Sequence, residues 1–217
     1  LDLTVRSGQI TALLGPNGAG KTTTLLTLAG QLEPMGGAVT LEGQPAPKGL
    51  HRRAREGVSL VTEQRSVFME MTVDENLRVG RCDIEAALGL FPELEPLLKR
   101  RAGLLSGGEQ QMLTLARALA REPRVLLVDE LSLGLAPLIV QRLLEATKAA
   151  AGESGVAVLL VEQHVDQALR FADYVLVMDG GRILLQGEAA EVAPRVKEIE
   201  AAYLANGAAA EAGGARN

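Results

Sequence analysis

The chain has 217 residues, 47% of them hydrophobic and 23% charged, a balance that fits a folded core and excludes a disordered or fibrous chain. A net charge of −5, with 2% aromatic residues and no Trp, argues against a basic, base-stacking nucleic-acid surface. The longest uncharged apolar run, 156–161, falls far short of the ~20 residues that cross a bilayer. No leader pattern opens the chain, and the single cysteine, Cys82, can form no internal disulfide, which suits a reducing compartment.

Alternating apolar residues predict strands over 1–5 and 9–14, joined by a turn at Arg6-Ser7-Gly8. Between the second strand and a helix over 22–32 stands Gly15-Pro16-Asn17-Gly18-Ala19-Gly20-Lys21-Thr22. Strand, glycine-rich loop and helix in that order are the setting a phosphate-binding P-loop requires. The glycines let the backbone turn tightly and leave its N–H groups open to an anion, which the helix dipole also favours. Lys21 is placed to reach the β- and γ-phosphates of a nucleoside triphosphate, and the Thr22 hydroxyl to ligate Mg²⁺.

Beyond this helix, a break at Pro34-Met35-Gly36-Gly37 precedes a short strand over 38–41, a turn at Glu42-Gly43 and a basic helix over 50–56. A strand follows at 58–62. Residues 72–101 carry an amphipathic helical pattern interrupted at Pro92 and Pro96. Then come a helix over 106–121, a buried strand over 125–128, a helix over 138–151, a strand over 156–161 and a helix over 165–171. Strands over 174–178 and 182–186 flank Asp179-Gly180-Gly181 as a hairpin. Strands alternating with helices predict an α/β fold, a P-loop NTPase core with a parallel sheet and a small antiparallel β part. The Gly- and Ala-rich stretch 206–217 reads as a disordered tail.

Two further stretches carry chemistry. The strand Val125-Leu126-Leu127-Val128 ends in Asp129-Glu130. Ligands of such sheets sit beyond the carboxyl ends of the strands, so both carboxylates are expected to face the P-loop phosphates. Asp129 is a candidate Mg²⁺ ligand, and Glu130 a candidate to orient or deprotonate the water attacking the γ-phosphate. The second stretch is Leu105-Ser106-Gly107-Gly108-Glu109-Gln110-Gln111. Ser106 and Glu109 have capping-box spacing, which by itself means only a well-made helix start. Two adjacent glycines exceed what a cap needs and suggest a second anion site at the helix N-terminus.

With the P-loop, Leu-Ser-Gly-Gly-Glu-Gln-Gln and Leu-Leu-Val-Asp-Glu in that order, residues 1–204 resemble the ATP-binding subunit of ABC transporters. Glu63 to Phe68, Ser132 to Pro137, and Val161-Glu162-Gln163 resemble the branched-chain amino acid importer type. The resemblance implies a single ABC ATPase domain over 1–205 with a helical subdomain at about 66–122. ATP would be bound by Gly15, Pro16, Asn17, Gly18, Ala19, Gly20, Lys21, Thr22 and Thr23. It implies a head-to-tail dimer with a second ABC ATPase subunit, in which Ser106, Gly107, Gly108 and Glu109 meet the partner's ATP. It also implies multi-span permease subunits, an indirect link to a periplasmic or extracellular substrate-binding protein, and a place on the cytoplasmic face of the membrane. Phe68, Met69 and Met71 are docking candidates for the permease, or else subdomain core.

Departures from the family pattern shape further expectations. Counting back five from Phe68, the switch Gln position falls on Glu63, with Gln64 next; both are carried as nucleotide contacts, and Gln64 as a Mg²⁺ ligand. Counting back ten from Asp173, the switch His position falls on Gln163, with His164 next; both are carried as catalytic alongside Glu130. A one-residue slip on an extended chain turns a side chain to the opposite face. Leu131 stands where the family usually has Pro, which frees a φ angle and restores an N–H. The family's earlier strand, with an aromatic residue that stacks on adenine, has no counterpart ahead of Leu1, so weaker ATP binding than in a longer chain is expected. Other readings are a urea or amide importer ATPase, a soluble ABC ATPase acting on ribosomes or DNA, and a nearly inactive partner subunit.

Overall fold

The computed structural model describes residues 1–62, 64, 66–196 and 198; the predicted tail and Glu63 lie outside them. Among the described residues the elements run β1 Ile10–Leu14, α1 Lys21–Ala29, β2 Thr40–Leu41, β3 Gln44–Pro45, α2 Leu50–Arg55 and β4 Val58–Val61. After them come α3 Val73–Val79, α4 Ile84–Leu90, α5 Gly107–Leu119, β5 Val125–Asp129, α6 Pro137–Ser154, β6 Ala157–Val161, α7 Val165–Phe171, β7 Tyr174–Asp179 and β8 Arg182–Glu188. The six-stranded sheet has the order β4-β5-β6-β1-β7-β8, with five parallel strands and β8 antiparallel on the edge. β2 and β3 form a separate two-stranded antiparallel pair.

Side chains of successive strand residues leave the sheet on opposite faces, and the helices sort accordingly. Leu13, Leu127, Leu159 and Leu176 pack on one face with Leu25 and Ala29 of α1. Leu126, Val128, Val158 and Leu160 pack on the other with α5 and α6 residues such as Leu113, Ala116, Leu143 and Leu144. The same second core continues into Val73, Leu77, Ala87, Phe91 and Leu94, so the α3–α4 region and the sheet are welded by one apolar cluster. A third cluster joins Ala12, Val175 and Val177 to Val165 and Ala168 of α7.

Proline sets the breaks within 72–101. Pro92 opens a 3₁₀ stretch, Pro92–Leu97, at a position that needs no N–H, and Pro96 inside it cannot donate the N–H that an α-helix would need. The strand expected over 1–5 does not form. Leu3 and Val5 pack against the α1-side core, but the segment hydrogen-bonds into no ladder, and strand pattern without a partner edge gives only an extended chain. A buried Arg53 holds the far end of α1, donating to the carbonyls of Thr27 at 2.5 Å and Leu28 at 2.6 Å. These are among the carbonyls that a helix C-terminus leaves without internal partners.

Candidate functional site

β1 delivers the chain into the P-loop, and the end of β7 sets the loop's shape. Gly15 has φ 151°, and a Cβ there would sit 2.1 Å from the Met178 carbonyl oxygen, so only glycine fits. From the β7–β8 turn, the Gly181 N–H donates to the Ala19 carbonyl at 3.0 Å. Gly20 is the N-cap of α1 and offers no side-chain cap, leaving the first N–H groups of the helix facing the loop. Lys21 is only 5% exposed; its Nζ donates to the carbonyls of Gly15 at 2.8 Å and Pro16 at 3.0 Å. Burial pulls its pKa down, while the charges of Glu130 and Asp129 push it back up. Thr22 and Thr23 are exposed at the start of α1.

Those two carboxylates come from the end of β5, with β6 between it and β1. β5 pairs with β6 and β6 with β1, so three neighbouring strand ends bring Asp129, Gln163 and Gly15 to one edge of the sheet. Asp129 is 6% exposed. Glu130 follows in the left-handed region, φ 49°, its N–H donating to the Val161 carbonyl at 2.9 Å. Its carboxylate accepts from Gln163 Nε2 at 2.5 Å. His164, one residue on, is the N-cap residue of α7 and lines a neighbouring groove with Ser132, Leu135, Pro137 and Val140. Gln163, not His164, therefore holds Glu130.

Gln64 is exposed in the loop after β4, where its carbonyl accepts from the hydroxyls of Thr62 at 2.8 Å and Ser66 at 3.3 Å. The capping box at Ser106 is fully formed: Ser106 Oγ accepts from the Glu109 N–H at 3.3 Å, and Glu109 Oε2 accepts from the Ser106 N–H at 2.6 Å. One of the two signature glycines has a packing reason, since a Cβ on Gly108 would lie 2.9 Å from Ile139 Cγ2 of α6. Helix α5 packs with α3, α4, α6 and β4 on the sheet face opposite α1.

Three residues that sequence reasoning missed order the surrounding loops. Glu162 is 1% exposed, and its carboxylate accepts from the Ser132 N–H at 3.2 Å and Ser132 Oγ at 2.7 Å. Burial pushes its pKa up, and the Ser132 hydrogen bonds partly oppose that. In sequence it is merely an acid at a strand end, a position that is usually solvated. Asn76 is buried and braces loop 68–72, accepting from the Phe68 N–H at 2.9 Å and donating to the carbonyls of Phe68 and Thr72, both at 3.0 Å. Arg117 of α5 reaches the same loop, donating to the Ser66 carbonyl at 2.5 Å and lying 5.3 Å from the Phe68 ring centroid.

Residues 1–132 match the family described as ABC transporter. The chain belongs to that family. This ABC ATPase is 42% identical over 213 residues to the high-affinity branched-chain amino acid transport ATP-binding protein BraG of Pseudomonas aeruginosa, spanning 92% of this chain and 89% of that protein. It is 35% identical to the probable branched-chain amino acid transport ATP-binding protein LivF of Archaeoglobus fulgidus, over 88% and 86% of the two chains. A Nod factor export ATP-binding protein I of Cupriavidus pinatubonensis is 40% identical, but the match spans 87% of this chain and only 60% of that one. Among solved structures, cbiO1 of Clostridium perfringens, part of the cbiONQ ABC transporter complex, superposes with TM-score 0.81 at 26% identity, covering 94% of this chain and 86% of that one. As a member of the family, the chain binds ATP and hydrolyses it in coupling to transport.

Proposed function

We propose that this ABC ATPase energises a membrane importer for branched-chain or related hydrophobic amino acids. The observation that carries the catalytic part is the convergence of the P-loop, Asp129-Glu130 and Gln163 at three adjacent strand ends. The cargo class rests on BraG and LivF, which match over nearly the full length of both chains, whereas the export relative is much longer than the match.

Residues 15–23 cradle the phosphates through backbone N–H groups, with Lys21 turning from the loop carbonyls to the β- and γ-phosphate oxygens. The Thr22 hydroxyl, the Asp129 carboxylate and the Gln64 amide oxygen are the hard oxygen donors that suit Mg²⁺, and the buried, anionic Asp129 is the strongest of them. Bound there, Mg²⁺ would neutralise charge on the phosphates. Glu130 orients or deprotonates the attacking water, and Gln163 fixes its carboxylate.

Because α5 starts on the sheet face opposite α1, Ser106-Gly107-Gly108-Glu109 serve the ATP of a second, head-to-tail subunit, and we assign that partner as a different ABC ATPase. The region 66–122 acts as the helical subdomain, and Phe68 and Met69, 47% and 44% exposed, form its docking patch for multi-span permease subunits. Among the described residues no helix is long and apolar enough to cross a membrane. The reading places the chain on the cytoplasmic face, held there by those permeases. A separate binding protein hands cargo to the permease on the far side. Replacing Glu130 with Gln is expected to cut ATP turnover by roughly 10²–10⁴-fold while ATP binding persists. Turnover in Glu130→Gln equal to that of the parent chain contradicts the assignment.

A further inference from the structure

Glu130 occupies a backbone conformation that costs a non-glycine residue free energy, and the loop after it has no proline to fix its course. Such a conformation persists only where its surroundings over-determine it. Three consecutive residues at the end of β6 supply that constraint. The Val161 carbonyl takes the Glu130 N–H at 2.9 Å, and Gln163 Nε2 grips the Glu130 carboxylate at 2.5 Å. Between them, Glu162 takes both the N–H and the hydroxyl of Ser132, at 3.2 and 2.7 Å. Leu131, buried in the α5–α6 core, pins the residue between the two ties.

We propose that Glu162 is a positioning residue for ATP hydrolysis, acting through Ser132 to hold the loop that presents Glu130 in its working conformation. A buried carboxylate whose two oxygens each accept a hydrogen bond from the same serine is costly to keep as mere packing, because burial of a charge is unfavourable unless it is hydrogen-bonded. Its two hydrogen bonds join the end of β6 to the loop that leaves β5, the two segments whose tips must stay in register for Gln163 to meet Glu130. Glu162 itself need touch no substrate. It replaces, with a side-chain clamp, the rigidity that a proline at position 131 would give through its ring.

This inference rests on the proposed role of Glu130 in hydrolysis, and the test separates the two. Steady-state ATP hydrolysis is measured on the full chain and on its Glu162→Ala, Glu162→Gln, Ser132→Ala and Ser132→Ala/Glu162→Ala variants. A displaced Glu130 carboxylate is expected to lower kcat by roughly 10–100-fold in Glu162→Ala with KM for ATP unchanged. Glu162→Gln keeps the shape, one acceptor and a donor that Ser132 Oγ can accept, so it restores much of the loss. Ser132→Ala lowers kcat less, and the double variant is no slower than Glu162→Ala alone, since both remove the same contact. If Glu162→Ala does not fold, Ser132→Ala and Glu162→Gln carry the test. The proposal is overturned if kcat in Glu162→Ala or Ser132→Ala equals that of the parent, if KM shifts in step with kcat, or if Gln is as damaging as Ala. Parent activity insensitive to Glu130→Gln would instead overturn the reading of the site itself.

Discussion

A strand end can send adjacent side chains to different tasks, and residues 162–164 do so. Glu162 points inward to Ser132, Gln163 to Glu130, and His164 starts α7 beside a separate groove. The one-residue offset between Gln163 and His164 was legible in sequence, because spacing from Asp173 depends only on counting. The inward turn of Glu162 was not, since an acid closing the apolar run 156–161 has the same pattern whether solvated or buried. Its burial has a thermodynamic signature. Burial raises its pKa above the ordinary glutamate value, so the folded chain keeps a proton that the unfolded chain has already released. That contribution to stability is present below the ordinary value and is lost as pH rises through the raised one. Melting temperatures of the parent and Glu162→Gln should therefore diverge in favour of Gln as pH rises through this window. A difference independent of pH there contradicts the buried, shifted carboxyl.

Elements formed where pattern and partner agreed. The P-loop helix, the capping box at Ser106, the β7–β8 hairpin and the apolar strands β5 and β6 were readable, because each depends on local chemistry or on burial on both faces. The strand expected over 1–5 had the alternation but no ladder, which is a tertiary matter that no local pattern encodes. Nor did sequence reveal that a buried amide helps hold loop 68–72, alongside the backbone hydrogen bonds it accepts from Ala102 and Gly103: Asn76 sits inside α3, and nothing in the local pattern marks it out. Asn76→Ala leaves the Phe68 N–H and several carbonyls without that partner, costing about 2 kcal/mol. For a chain of this size that lowers Tm by roughly 4–8 °C. An unchanged Tm, read by calorimetry, would show that the loop is held by other means.

At the scale of the molecule, two of the three cores lie on opposite faces of one sheet. The α1-side core carries the P-loop, while the opposite core runs unbroken from the strands that end at the acidic pair into α3, α4 and α5. Loop 66–72 lies at the rim of that second core, tied to α5 by Arg117 and presenting Phe68 and Met69 outward. The strand that ends at the acidic pair and the loop that carries the exposed apolar patch thus pack on one contiguous core. The most direct test is to tag the full chain, solubilise native membranes gently and identify what co-purifies, alongside a Phe68→Asp/Met69→Asp variant. The account predicts multi-span permeases together with a second ABC ATPase, retained by the parent chain and lost by the variant although the variant still binds ATP. Recovery of ribosomes, of nucleic-acid proteins or of no membrane protein, or equal permease recovery with the variant, would contradict it.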